Sequence, residues 1–417
     1  MPDADIAVVG AGAAGLTAAI AAARASSGKL KVLLLDSRKK IGAKILVSGG
    51  TRCNVTNVEV LPSDYQGGPR HFLKHVLAAF TPAETIEFFR EIGVELVLEP
   101  TGKYFPTTHS GKTVLEALVR ALEEAGAVLV TEARVAGLRA EGEKGFLLET
   151  EDGRAIAARR VILATGGLSL PETGSDGKGL AIARGLGHTI VPTFPALTPL
   201  ETDDEGWKSL SGVTLEARLS FFRKGKKAAE SEGSFLFTHF GYSGPSALDI
   251  SRHFAAAPPS EKPAVEASFV PSETEESLGR RFADYAKEHS ERRVRTFLSE
   301  VCGLPARFCE VFLEKTGIDG SVAVGRSARQ RGKLVHSLLH LPLAVTGVVG
   351  YKKAEATAGG VSLSEVRVST LESRIVPGLH FAGEMLDVDG RIGGFNFQWA
   401  WSSGTVAGRA AARALLS

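Results

Sequence analysis

Three glycines near the start of the chain set the terms for everything after them. Ile6-Ala7-Val8-Val9 is a short apolar, partly β-branched run that suits a buried parallel strand. It leads straight into Gly10-Ala11-Gly12-Ala13-Ala14-Gly15, a G-x-G-x-x-G arrangement, and then into the alanine-rich, helix-favouring stretch Leu16 to Ala25. Each glycine has its own reason. Gly10 allows the tight turn, Gly12 lacks a Cβ and so lets a pyrophosphate approach the backbone, and Gly15 lets the helix pack closely on the strand. The helix N-terminus would then aim its N–H groups and dipole at the phosphates. A second strand, Lys31 to Leu35, ends in Asp36, where an acid should accept hydrogen bonds from an adenosine ribose. The same opening is apolar enough to mimic a secretory signal, but Asp3 and Asp5 stand where a basic n-region would be, and the glycines break the apolar run.

Composition excludes several classes. The chain has 417 residues, 44% of them hydrophobic and 23% charged, which is ordinary globular usage with core enough for two or three domains. A formal net charge of +2 gives no global attraction to nucleic acid or to an anionic membrane. No apolar run approaches the roughly 20 residues that a membrane-spanning helix needs, so no membrane partner is expected. The cysteines Cys53, Cys302 and Cys309 form no C-x-x-C and no even disulfide framework, so the expectation is a reduced, cytoplasmic protein. They are too scattered for a zinc site. Asp387 and Asp389 lack a nearby His or further acids, so no metal is expected there either.

Taken in order, Ser48-Gly49-Gly50-Thr51-Arg52-Cys53-Asn54-Val55-Thr56-Asn57 is dense in small, hydrogen-bonding residues and poor in core formers. Such a loop is costly to order unless it wraps a ligand. Lys44 and Arg52 would neutralise a pyrophosphate there, and Asn54, Thr56 and Asn57 offer donors and acceptors. Residues 61–70 read as a loop. The pattern over 71–92 is helical, with Thr81 a start signal before Pro82, and a further helix is expected over Thr113 to Ala125. Val128 to Glu132, Gly145 to Thr150 and Arg159 to Ala164 read as strands, the last running into Thr165-Gly166-Gly167, a second strand-to-glycine junction. A helix through Ala181 to Leu186 follows. Pro192, Pro195 and Pro199 mark a change of character. From 200 to 270 the pattern is β-rich, with an unusually polar and aromatic loop from Thr238 to Pro245. From 272 to 340 it is helical, with Arg292, Arg293, Arg295, Arg326, Arg329, Arg331 and Lys333 clustered; the 324–336 stretch holds no acid. Strand character returns at Leu343 to Val349 and Ala354 to Val361. Gly378 to Glu384 is a strand entering glycine and an acid, and a final helix is expected from Ser402 to Leu416. Asn396 and Gln398 would then lie just ahead of that helix, placed to touch a polar ring or ribityl chain.

On the motifs at Gly10 to Gly15, Ser48 to Asn57, Ala164 to Gly167, Phe237 to Pro245, and Val376 to Gly404 with Phe381-Ala382-Gly383-Glu384, the chain resembles the FAD-dependent oxidoreductases of the BaiN/RdsA type, the aminoacetone-oxidase-like flavoproteins. The resemblance spans essentially the whole chain. One departure is Thr51, where that family usually has a third glycine. The resemblance implies an α/β fold with a discontinuous Rossmann-like FAD-binding domain at 1–191 and 354–417. A β-barrel-like domain would be inserted at 192–271, with its return strand at 341–353, and a helical domain nested within it at 272–340. It implies non-covalent FAD. Gly10, Gly12, Ala13, Ala14, Gly15 and Asp36 would hold the ADP half; Lys44, Gly50, Arg52, Cys53, Asn54 and Asn57 would follow the pyrophosphate and ring. Val135, Ala164, Thr165, Gly166, Gly167, Gly383, Glu384, Asp389, Gly393, Gly394, Phe395 and Asn396 would close the site.

For proton transfer the candidates are His239, Cys53 and Tyr242, each able to donate as its protonated form. No second G-x-G-x-x-G appears, so NAD(P)H would serve as a transient reductant. The leading expectation is an NAD(P)H-driven reductase of a conjugated C=C bond in a small-molecule substrate. The rivals are a reductase of uridine in ribosomal RNA, with the basic helical insert contacting RNA backbone, and an oxygen-dependent oxidase of a small amine.

Overall fold

The opening apolar run forms a parallel strand, Ala4–Val9, at the centre of a seven-stranded sheet. The computed structural model describes residues 2–417. On one side of this strand lie Val32–Leu35 and then Val128–Val130; on the other lies Ala155–Leu163, which also pairs in parallel with Leu379–Phe381. The remaining strands, Phe146–Thr150 and Val135–Ala140, extend the other half of Ala155–Leu163 as an antiparallel meander. The register aligns Val9 with Leu35 and with Leu163, and Leu163 with Phe381, so four parallel strands end at one level. These strands are buried almost throughout, which is why they read as unbroken apolar runs.

The first helix, Ala13–Ser26, follows the glycine turn. It packs against the C-terminal helix, Phe395–Leu416, with little more than backbone between them. A Cβ on Gly404 would lie 2.5 Å from the Ala14 carbonyl, and one on Gly408 would lie 2.2 Å from that of Ala18. Thr81 caps the helix Pro82–Glu91 as the sequence predicts, in a capping box with Glu84. The C-terminal helix begins at Phe395, seven residues ahead of the expected Ser402, so Asn396 and Gln398 belong to its first turn rather than to the loop before it. Residues 61–70, expected as a loop, contain the short strand Tyr65–Gly67, which pairs with Val388–Gly390.

The chain divides into two compact units. The first comprises 1–195 and 355–417; the second is 196–354. In the second, seven antiparallel strands pair in a linear order from Leu341–Leu343 through Ala264–Ser268, Thr214–Arg223, Lys226–Thr238, Gly241–Ser243 and Leu200–Glu201 to Gly347–Val348. The helices Glu275–Glu288, Val294–Glu300, Ala306–Thr316 and Ala328–Leu339 share one hydrophobic core with this sheet. Trp207 stacks there on Phe237 and Phe308, Phe237 stacks on Phe269, and Phe269 meets Phe308 edge-on. The β-rich reading of 200–270 missed the helix Pro245–Ala256. Its start, Gly244-Pro245, is the N1-proline signature, hidden in a stretch read as an aromatic loop. Among the described residues, no helix is long and apolar enough to cross a membrane.

Candidate functional site

The aligned ends of the parallel strands each run into a glycine turn. Val9 leads to Gly10, Leu163 to Thr165-Gly166-Gly167, and Phe381 to Gly383. A crevice outside the carboxyl ends of such a sheet is where open α/β folds bind ligands. The geometry gives each of the first three glycines a distinct part. Gly10 is left-handed at φ +101°, and a Cβ there would stand 2.7 Å from the Ala164 carbonyl. A Cβ on Gly15 would lie 1.8 Å from the carbonyl of Gly10, so only glycine lets the helix sit this close to the strand. Gly12 differs: a Cβ there would meet nothing within 4 Å. Packing therefore does not demand glycine at 12, but the approach of a ligand would. The helix behind it has no side-chain cap and no acid in its first turn, which leaves its N–H groups and dipole for an anion. Asp36 sits at the end of the second strand with Oδ2 accepting from the Ala11 N–H at 2.7 Å and Oδ1 from the Arg38 N–H at 2.8 Å. The Asp36 backbone is bonded to Val130 and Ala133, two residues short of Val135, which is buried at the start of its strand. An open glycine, an uncapped helix start and a strand-end acid together fit the ADP half of FAD.

Deeper in the site two charges expected on the cofactor are already partnered. Lys44 Nζ lies 2.7 Å from Glu384 Oε2 and 2.6 Å from Ser169 Oγ. Glu384 Oε1 accepts from Ser169 Oγ at 2.7 Å and from the Thr357 N–H at 2.7 Å. Burial works to raise the Glu384 carboxyl, but the Lys44 charge and these hydrogen bonds hold it below the usual range. Arg52 spends its guanidinium on Glu99, at 2.6 Å, and on the face of Phe105, 4.0 Å from the ring centre. Lys44 and Arg52, expected at a pyrophosphate, are here ion-paired with Glu384 and Glu99. Ser169, Thr357 and Glu99 were not foreseen, because each partner is distant in sequence and carries no motif.

The Asn-rich loop is a brace. The Asn54 amide bridges the Thr56 carbonyl (3.1 Å) and the Gly394 N–H (3.0 Å). Asn57 Nδ2 donates to the Gly393 carbonyl at 2.9 Å. Asn396 is folded back on Gly390, accepting from its N–H at 2.8 Å and donating to its carbonyl at 2.9 Å. Gln398 is fully engaged: Oε1 accepts from Thr56 and Thr85, and Nε2 donates to the Phe80 carbonyl and Ser402. Its expected contact with a polar ring gives way to this buried network. The result is a rigid Gly393-Gly394 turn at the start of a helix with no side-chain cap and no acid in its first turn. Trp399 and Trp401 fix that helix further through Nε1 bonds to the carbonyls of Gly383 and Val55. Gly50 and Thr51 are both left-handed, at φ +67° and +71°. Thr165 Oγ1 bonds Met385 Sδ at 2.9 Å, and Gly166 and Gly167 turn beneath Ser175 and Thr357. Ala164 joins the Val9 strand end through its N–H, Phe395 is buried, and Asp389 is buried in the strand that pairs with Tyr65–Gly67.

The three proton-donor candidates fall in different units. Cys53 lies in the first unit with the cofactor candidates, and His239 and Tyr242 lie in the second. Cys53 is wholly buried, and burial pushes its thiol up to about 12 against a smaller lowering by the Ser48 hydrogen bond. Tyr242 is a core side chain stacked on Phe235 and edge-on to Phe237, its phenol pushed up by burial. Burial thus keeps both groups in their protonated forms. His239 stands exposed on the turn between two strands, which Thr238 Oγ1 pins through the Gly241 N–H and carbonyl.

Comparison with known proteins agrees with this geometry. The model of the HI0933-like protein Rossmann domain matches residues 4–410. A 3-dehydro-bile acid delta(4,6)-reductase of Clostridium scindens is 36% identical over 410 residues, covering 98% of each chain. Ribosomal RNA dihydrouridine synthases of Escherichia coli and Haemophilus influenzae are 33% and 34% identical over 403 residues, covering 96% and 95% of each chain respectively. The resemblance drawn from the motifs holds along the whole length, and the chain belongs to the HI0933-like Rossmann family and is an FAD-dependent oxidoreductase.

Proposed function

We propose that the chain is an NAD(P)H-driven reductase of a conjugated C=C bond in a small molecule. The observation that carries the reading is the glycine-lined crevice at the strand ends, in a chain matching the bile acid reductase over 98% of both sequences. When bound, FAD would supply hydride transfer between NAD(P)H and the electron-poor carbon β to a carbonyl. The protein's own work is to hold and orient. The first helix and Gly12 would take the pyrophosphate, Asp36 the ribose, and the braced turn at Gly393-Gly394 the ring end. The start of the C-terminal helix favours negative charge near it. The Lys44–Glu384 pair stiffens the wall between them without adding net charge.

Reduction also needs a proton on the α carbon. Nucleotide, proton and alkene then balance: NAD(P)H and one proton become NAD(P)+ and two new C–H bonds. Free Cys53, Cys302 and Cys309 suit a reducing compartment, so we place the protein in the cytoplasm.

A second reading rests on one observation. Uridine is also a conjugated C=C–C=O system, and Arg293, Arg295, Arg329 and Arg331 are exposed on the second unit, where RNA phosphates would bind. Steady-state assays separate the two. Oxidation of NADPH or NADH dependent on a 3-oxo-4-ene steroid, with a product two mass units heavier, supports the first. Turnover only with ribosomal RNA, abolished by neutralising Arg329 and Arg331, would replace it with the second. Peroxide formed from a small amine without nucleotide would sink both.

A further inference from the structure

The second unit brings together a set of side chains that the proposed flavin reaction leaves without a role. His336 lies on the last turn of the helix Ala328–Leu339, and His340 follows four residues later as its C-cap. That spacing sets both imidazoles on one face, and their rings are 5.0 Å apart at 35°. Glu275, the first residue of the helix Glu275–Glu288, reaches them from another element. Its Oε1 lies 3.0 Å from His336 Nδ1 and 3.9 Å from His340 Nε2. One ligand atom from each of the three side chains falls within 4.8 Å of the others.

A fourth group organises the cluster. Glu266, on the strand Ala264–Ser268, lies with Oε1 3.0 Å from His340 Nδ1. A carboxylate there accepts a hydrogen bond from Nδ1–H, which favours the tautomer whose Nε2 lone pair faces Glu275. This carboxylate–histidine arrangement is the one that outer groups impose on metal-binding imidazoles. Ligands of a tetrahedral zinc ion at 2.0–2.2 Å stand roughly 3.4 Å apart, so the observed separations bracket that spacing. His336 and Glu275 are well exposed and free to close the remaining gap by rotation.

We propose that Glu275, His336 and His340 form a binding site for a divalent zinc-type cation, oriented by Glu266. Two imidazoles and one carboxylate select zinc, nickel or copper over magnesium, and three protein ligands leave a position for water. The ion would clip the start of one helix to the end of another and to a sheet strand. It takes no part in the flavin reaction.

The test is calorimetric titration of zinc chloride into the untagged, FAD-loaded, full-length protein. One equivalent should bind with micromolar or tighter affinity, and magnesium chloride should show none. His336→Ala, His340→Ala and Glu275→Gln should each weaken zinc binding tenfold or more. Glu266→Gln should weaken it less and keep the stoichiometry. Zinc should raise the Tm of the wild type but not of the His336→Ala/His340→Ala double variant. That variant should keep its flavin and its zinc-free Tm. The proposal is overturned if the wild type binds no equivalent of zinc, or if the double variant binds it as tightly.

Discussion

Replacing Gly15 by Ala is the sharpest test of how the nucleotide site is packed. The added Cβ would start 1.8 Å from the Gly10 carbonyl oxygen and must move more than about 1 Å to reach an ordinary contact. The first helix cannot simply retreat. Its other flank already lies against the C-terminal helix, where even a Cβ on Gly404 or Gly408 would come within 2.5 Å of its carbonyls. Overpacking of this kind costs about 1–3 kcal/mol, and the helix-propensity gain of Ala over Gly returns about 1 kcal/mol. A net loss of up to about 2 kcal/mol corresponds to a fall in Tm of up to about 8 °C for a unit of this size. The larger effect should be on the ligand. Displacing the helix start moves its N–H groups off the phosphates, and each 1.4 kcal/mol lost there is about tenfold in affinity. The assay is thermal melting of apoprotein and FAD titration by flavin fluorescence, run side by side. A Gly15→Ala protein with wild-type Tm and wild-type FAD affinity would refute the packing argument.

Other substitutions separate packing from binding. Gly12→Ala should leave the apoprotein Tm within about a degree of wild type, since its Cβ meets nothing and φ is −85°, yet it should purify without flavin; a yellow Gly12→Ala protein would move the pyrophosphate elsewhere. Thr51→Gly removes a β-branched residue from a left-handed position, which costs about 1–2 kcal/mol, and should preserve or raise Tm even after the glycine's extra unfolded entropy of about 0.4–1 kcal/mol. Gly50→Ala, with open space but φ +67°, should lower Tm; equal Tm values for both variants would contradict the strain assignment. Burial holds His380 near 4, and burial with the Arg252 charge holds His253 near 4. The unfolded chain takes up these protons near 6.5 and the folded one only near 4, so stability should fall as pH drops from 6.5 toward 4. Melts between pH 7 and 5.5 check this, and His253→Gln should flatten the slope; a stability that rises on acidification would reverse the sign.

Legibility followed sequence distance. The Ile6–Gly15 turn, the Asp36 strand end, the junctions at Thr165 and Gly383 and the Thr81 cap are local patterns, and local patterns carry their own physics. The left-handed Thr51 explains why a glycine is usual there: three residues in succession, from Gly49 to Thr51, have positive φ. What could not be read was how polar side chains are shared between distant segments. Lys44 looked available for phosphate because nothing nearby in sequence pairs with it; its partner, Glu384, is 340 residues away. Gln398 looked poised for a ligand because glycines precede it, while its acceptors and donors, Thr56, Thr85 and Phe80, lie more than 300 residues upstream. The early start of the C-terminal helix was missed for the same reason. Asn396 and Gln398 were read as ligand contacts ahead of it, whereas they belong to its first turn, which Trp399 and Trp401 anchor through N–H groups that end on backbone carbonyls. Tyr242 was a candidate by residue type alone, and the fold buries it.

The central claim is that this crevice holds a flavin that passes hydride from nicotinamide to a conjugated alkene. Its most direct test is anaerobic stopped-flow of the FAD-loaded protein in two halves. The account predicts bleaching by NADH or NADPH, then reoxidation on mixing with a 3-oxo-4-ene compound, with no requirement for RNA. Flavin that bleaches with nucleotide but reoxidises only with ribosomal RNA, or that ignores nucleotide and bleaches with a small amine, would contradict it.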